Sequence, residues 1–207
     1  MLGRYVLGQF AKPHGRLGGL FAEILNRGNA ALNEHAIAAL QAREGDRVLE
    51  VGFGGGAALA EILRRSGASF VAGLDPSPEM VRRAERRLSR WIQEGRLEVR
   101  AGAAEAIPWP EASFDRALSV NSIYYWRDPA RGTAELFRVL KPGGTAVLGL
   151  RSKAAIDRLR LDRFDYHPFG EDDVRELLAR AGFSGLDVSS HGDERLGGAI
   201  VLRAHRS

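Results

Sequence analysis

No cysteine occurs in the chain, which excludes disulfides, thiolate metal sites and a cysteine nucleophile. No run approaches the ~18 consecutive apolar residues that a membrane span needs. Met1 to Phe10 is broken by Gly3, Arg4, Gly8 and Gln9, unlike a secretory leader. These absences predict a cytoplasmic protein. Blocks of like charge are also missing. The net charge is +4, but Arg64-Arg65, Arg82-Arg83 and Arg86-Arg87 are interleaved with Glu61, Glu79 and Glu85 at helical spacing. That pattern reads as solvated helix faces, so a nucleic-acid partner is not favoured. None of the five histidines pairs with another at metal-ligand spacing, so no metal site is expected.

What is present is a globular composition, 44% hydrophobic and 27% charged, in 207 residues, enough for a substantial core. Residues 1–42 read as a leader. It has a glycine-punctuated start and then apolar residues at three- and four-residue steps, interrupted at Gly28-Asn29, so two helices are expected. From residue 43 to 207, strands alternate with helices. Strands are expected at Arg47–Val51, Phe70–Leu74, Leu97–Arg100, Phe114–Val120 and Thr145–Leu150. Helices are expected at Ala57–Ser66, Pro78–Ile92 and Pro129–Leu140, with a tight turn over Lys141–Gly144. A last helix, Glu171–Ala181, precedes two strand-like runs, Leu186–Ser190 and Gly198–Arg203, joined without a helix and so expected to pair antiparallel. The fold class is therefore α/β. A Rossmann-like, seven-stranded, mostly parallel sheet is expected, with helices on both faces, an antiparallel C-terminal hairpin and an N-terminal helical lid.

The chemistry concentrates where the first strand meets the first helix of this alternation. Gly52, Gly54, Gly55 and Gly56 form a turn that lets a ligand approach the backbone closely. Asp75, nineteen positions past Gly56, ends the second strand, where a carboxylate can accept both hydroxyls of a ribose. A dinucleotide and a sulfonium nucleoside both fit that frame. Glu50 favours the second: its carboxylate beside the turn repels a pyrophosphate and attracts a cationic amino group. Capping of the loop backbone is the competing role for Glu50.

Val48-Leu-Glu-Val-Gly-Phe-Gly-Gly-Gly56 resembles the first motif of the class I S-adenosylmethionine-dependent methyltransferases, in the branch that includes quinone and other small-molecule methylases. Gly73–Met80, Gly102–Pro108, Phe114–Asn121 and Arg138–Gly144 resemble that family's next motifs, in order, over roughly residues 45–203. The resemblance implies S-adenosyl-L-methionine as cofactor, held by Glu50, Gly52, Phe53, Gly54, Gly56, Asp75, Pro76, Met80, Ala103, Ala104, Glu105 and Asn121. It assigns Asp75 to the ribose, Pro76 to the adenine edge and Asn121 to the methionine part. One position departs from the pattern. The family's third motif carries an aspartate for the adenine amino group, and Ala103 stands there, which leaves the base to backbone near Ala104, to Glu105 or to water.

Methyl transfer from a sulfonium depends mainly on alignment, so no catalytic constellation is required and no catalytic residue is assigned. The acceptor side is expected beyond the fourth and fifth strands and under the leader. Tyr124 and Tyr125, with Trp126, offer an aromatic wall or else core packing. Tyr5 and His14 in the leader, and Tyr166 and His167 before the last helix, are further substrate-side candidates. The expected activity is methylation of a small-molecule acceptor. RNA or protein methylation, a nucleotide-dependent oxidoreductase and a non-catalytic cofactor-binding protein are the alternatives.

Overall fold

The computed structural model describes residues 30–151, 169–191 and 198–207. Within them the elements run α1 (Ala30–Leu40), β1 (Arg47–Val51), α2 (Ala57–Arg65), β2 (Phe70–Asp75), α3 (Pro78–Arg87), α4 (Ser89–Gln93) and β3 (Leu97–Ala101). After β3 come β4 (Phe114–Val120), α5 (Pro129–Val139), β5 (Leu140–Arg151), α6 (Glu171–Ala181), β6 (Phe183–His191) and β7 (Ala199–Arg206). The seven strands form one sheet in the order β3-β2-β1-β4-β5-β7-β6. β1 to β5 are parallel, and β7 runs antiparallel between β5 and β6. This is the expected doubly covered sheet with its antiparallel hairpin.

Strands buried on both faces read as continuous apolar runs, and Val48-Leu49 and Val71-Ala72 are fully buried for that reason. One layer of core lies under α1, α2 and α3, built on Leu32, Leu59, Ile62, Met80, Val81 and Leu118. The other lies under α5 and α6, built on Phe114, Leu136, Leu148, Val174 and Leu178. α1 reaches the sheet because Gly149 leaves room: a Cβ there would meet Leu32 at 3.3 Å and Ala36 at 3.4 Å. Residues 30–40, counted above with the leader, thus pack on β5. Residues 1–29 lie outside the described residues.

Local chemistry sets the helix ends. Ser77 caps α3 by accepting the Met80 N–H, with Pro78 in the first turn, and Asp128 caps α5 by accepting the Arg131 N–H at 3.0 Å. The single helix expected over Pro78–Ile92 is two. Leu88 leaves helical geometry (φ −112°, ψ 18°), and its buried side chain stands where a Cβ on Gly56 would meet it at 3.6 Å, beneath the glycine turn. The turn expected over Lys141–Gly144 is an outward bulge within β5: Phe114 pairs with Leu140, and the register resumes at Arg116 with Thr145.

Two arginines fix α5. One amino nitrogen of Arg206 donates to the carbonyls of Phe137, Arg138 and Leu140, with the guanidinium over the Phe137 ring, and so closes the helix C-terminus. Arg138 donates to the carbonyls of Ile107 and Trp109, and its partner Glu135 accepts the Ile107 N–H at 2.9 Å. The loop after β3 is thereby clamped to α5. No helix among the described residues is long and apolar enough to cross a membrane.

Candidate functional site

The carboxyl ends of β1, β2 and β4 meet at the glycine turn. Gly52 N–H donates to the Leu74 carbonyl at 2.7 Å and Gly56 N–H to the Phe53 carbonyl at 2.9 Å, which draws the chain into a tight arc before α2. Gly52 has φ +79°, and a Cβ on it would stand 2.1 Å from Ser122 Oγ. Only glycine lets the backbone lie that close to the exit of β4. Gly54, at φ +51°, donates its N–H to Asp75 Oδ2 at 2.8 Å. Arg87 of α3 reaches the Gly55 carbonyl at 3.3 Å.

Glu50 and Asp75 stand on the same face of neighbouring strands, Glu50 opposite Gly73 and Asp75 opposite Ala101. Both are buried, at 4% and 6% exposure. Asp75 uses each carboxylate oxygen once, Oδ2 toward Gly54 N–H and Oδ1 toward Ser77 N–H at 2.9 Å. Each oxygen keeps a further acceptor position. Burial raises the Asp75 pKa, and these two N–H bonds oppose the rise. The Leu59 N–H in the first turn of α2 lies near the Glu50 carboxyl, whose Oε2 is buried without a hydrogen-bond partner among the described residues. Burial, and then the nearby Asp75 charge, push the Glu50 pKa up to about 8, with the Leu59 N–H opposing. A buried carboxylate held this way is short of a positive partner.

The exit of β4 completes the arc. Asn121 takes a left-handed conformation (φ +51°) and donates its N–H to the Gly149 carbonyl. Its Oδ1 accepts the Arg151 N–H at 3.2 Å, while its buried Nδ2 has no hydrogen-bond partner among the described residues. Ser122 Oγ accepts from Trp126 Nε1 at 3.0 Å. On the β3 side, Ala103 is exposed and Ala104 buried, and Glu105 Oε1 accepts the Asp128 N–H at 3.0 Å. Pro76 is exposed beside Asp75.

The structure therefore brings Glu50, Gly52, Gly54, Gly56, Asp75, Pro76 and Asn121 to one edge of the sheet, with Ala103 and Ala104 at the β3 exit. Others of the expected set turn elsewhere. The Phe53 ring, 3% exposed, packs inward beneath the Gly73 backbone, and Met80, 1% exposed, sits in the core under α3. Those two side chains serve packing, because the turn that frees the backbone toward solvent points its one aromatic ring at the sheet. Glu105 is committed to the α5 cap loop. The aromatic wall is also reduced. Tyr124 is 1% exposed with its hydroxyl on the Arg151 carbonyl, and Trp126 is 5% exposed, with its ring against Gly132. Both belong to the core. Tyr125 is the ring at the surface, 39% exposed. Desolvation pushes its phenol up to about 12, the Arg151 cation opposing, so it is a neutral hydroxyl near pH 7. Tyr5, His14, Tyr166 and His167 lie outside the described residues.

Three participants escape a sequence reading. Ser122 is unremarkable by type, and only its fit under Gly52 singles it out. Arg87 looks like one of several surface arginines. Arg151 joins the site through strand register, since β5 ends beside β4.

Comparison with known proteins agrees with this geometry. The methyltransferase-domain family matches residues 49–148, from β1 to β5. The chain is 31% identical to the uncharacterised methyltransferase YdaC of Bacillus subtilis, over 77% of this chain and 83% of that protein. It is 32% identical over 72% of its length to a chloroplastic 2-methyl-6-phytyl-1,4-hydroquinone methyltransferase of Oryza sativa, but spans only 44% of that enzyme. In fold it is similar to the partner of the Trm112 methyltransferase activator in a Haloferax volcanii complex. That match has a TM-score of 0.80 at 23% identity and covers 89% of this chain and 93% of the other. The chain belongs to the class I S-adenosylmethionine-dependent methyltransferases.

Proposed function

We propose that this chain transfers a methyl group from S-adenosylmethionine to a small-molecule acceptor, with the cofactor laid along the glycine turn. Its amino group faces Glu50 Oε2 and its ribose faces Asp75. The observation that carries the reading is the orphaned oxygen of Glu50. A buried carboxylate with one oxygen unmatched fits a ligand that brings a positive charge and N–H donors. Asp75, with an acceptor position left on each oxygen, fits a pair of vicinal hydroxyls. A dinucleotide pyrophosphate in the same turn would find no positive partner at Glu50 and would be repelled by its ionised form.

The cofactor supplies a methyl already activated on a sulfonium, so the protein's contribution is alignment and exclusion of water. Gly52 and Gly54 let the backbone approach closely, and the Asn121 Nδ2 donor stands between the turn and the end of β5. On the acceptor side, Tyr125 and Arg151 give one neutral hydroxyl and one cation beside the exits of β4 and β5. That pair suits a small aromatic acceptor carrying oxygen, the class named for the hydroquinone-methylating relative.

Calorimetry with S-adenosylmethionine, S-adenosylhomocysteine and NAD tests the cofactor placement. Both sulfur compounds bind and NAD does not, and Asp75→Ala weakens S-adenosylhomocysteine by about 1–3 kcal/mol. Unchanged affinity in that variant would remove the ribose from Asp75.

A further inference from the structure

Across the carboxyl end of the sheet, polarity stops at β3. β1 and β2 present Glu50 and Asp75 on one face, but Ala101, directly opposite Asp75, and Ala103, in extended backbone beyond it, are both exposed methyl groups. Gly102 N–H is spent on the Asp75 carbonyl at 3.0 Å. The polar side chains around this exit are turned toward other partners, Glu105 through one of its two oxygens. Glu105 accepts the Asp128 N–H, and Ser77 Oγ accepts the Met80 N–H. Arg100 is shared between Glu98 and the Pro108 carbonyl while stacked on Trp109, and Glu135 is held by Ile107 N–H and Arg138. Among the described residues, the end of β3 therefore meets a ligand with main chain and methyl groups.

Strand order decides which part of the cofactor arrives there. With the amino group at β1 and the ribose at β2, the base extends in the same direction, onto the exit of β3. This step rests on the placement proposed above. We infer that the chain reads its cofactor's purine through shape and main chain, without a side-chain acceptor for the 6-amino group, and that Ala103 sets this tolerance. Because Ala103 is exposed, a 6-amino group beside it stays hydrated, and removing or alkylating that group strips no buried partner. Sulfonium cofactors altered at the purine 6-position are then accepted beside S-adenosylmethionine, a breadth that a carboxylate at position 103 would remove.

The test is competition calorimetry at one pH with three probes. These are S-adenosylhomocysteine, its analogue with hydrogen in place of the 6-amino group, and its N6,N6-dimethyl analogue. In the unaltered protein the three bind within about threefold of one another, since no charge-assisted hydrogen bond is lost. Ala103→Asp binds S-adenosylhomocysteine more tightly and discriminates against both analogues by about tenfold, the return expected from one such bond. Ala103→Asn serves the same purpose through its side-chain carbonyl should the aspartate variant melt early. A tenfold or greater loss on the 6-hydrogen analogue in the unaltered protein overturns the inference, as does an unchanged ratio in both variants. Absence of any S-adenosylhomocysteine binding would instead overturn the cofactor placement, and this inference with it.

Discussion

Replacing Glu50 with Gln isolates the charge at the centre of the site while keeping the side chain's shape. In the free protein, burial and the neighbouring Asp75 push the Glu50 pKa up to about 8, so at pH 7 the protonated form predominates. A cationic amino group against Oε2 requires the ionised form, so binding at pH 7 expels close to one proton per site. With the pKa in the complex well below 6, affinity for S-adenosylhomocysteine rises on the order of tenfold between pH 6 and pH 7. Calorimetry in buffers of different ionisation enthalpy measures the released proton directly. Glu50→Gln abolishes both the proton release and the pH slope. The stability of the free protein moves the other way. A carboxyl whose folded pKa is raised from 4.5 to about 8 contributes most stability below pH 4.5 and loses it as pH rises through 8. Glu50→Gln, which never ionises, should therefore melt higher than the unaltered protein at pH 8. Tight binding with no proton released, or a pH slope that survives unchanged in Glu50→Gln, would refute the reasoning.

Other outcomes follow from packing. Gly52→Ala should lower stability by at least about 2 kcal/mol, because it combines a left-handed φ with an overlap at Ser122. Adding Ser122→Ala should not rescue it, since Ser122 Cβ itself is 2.5 Å from the new methyl, and urea unfolding of the single and double variants compares the two. Arg206→Ala leaves three helix-end carbonyls without their donor and uncovers Phe137, so a loss of about 2–4 kcal/mol is expected with S-adenosylhomocysteine affinity intact. Arg138→Ala differs in kind. It frees the loop between β3 and β4 from α5, so a weaker cofactor complex should accompany its lower melting temperature.

What the sequence made legible was contiguous. The glycine turn, Glu50 two residues before it and Asp75 at the end of the next strand follow from a strand–turn–helix repeat. Side-chain direction was not legible. Phe53 and Met80 lie within cofactor-like motifs, yet both point into the core, because the arc that opens the backbone leaves the ring facing Gly73 and the cap of α3 turns Met80 inward. Tyr124, Tyr125 and Trp126 are equivalent in a string of letters. One turn of 3-10 helix at Ile123–Tyr125 buries Tyr124, leaves Tyr125 outside and lets Trp126 close over Gly132. Long-range pairings were likewise invisible: Glu105 with Asp128, Arg138 with the loop after β3, and Arg151 beside Asn121 arise from strand order. The split at Leu88 shows the same limit, since periodicity continues through a buried residue where the chain leaves helical geometry.

The central claim, that the cofactor lies from β1 across β2 to β3 with its cation on Glu50, is tested most directly by a crystal structure with S-adenosylhomocysteine. The account predicts the amino nitrogen within hydrogen-bond reach of Glu50 Oε2, both ribose hydroxyls on Asp75, and the purine beside Ala103 with no side-chain partner at its 6-amino group. An amino group held elsewhere while Glu50 Oε2 stays unpartnered, or a base lying over β4, would contradict it.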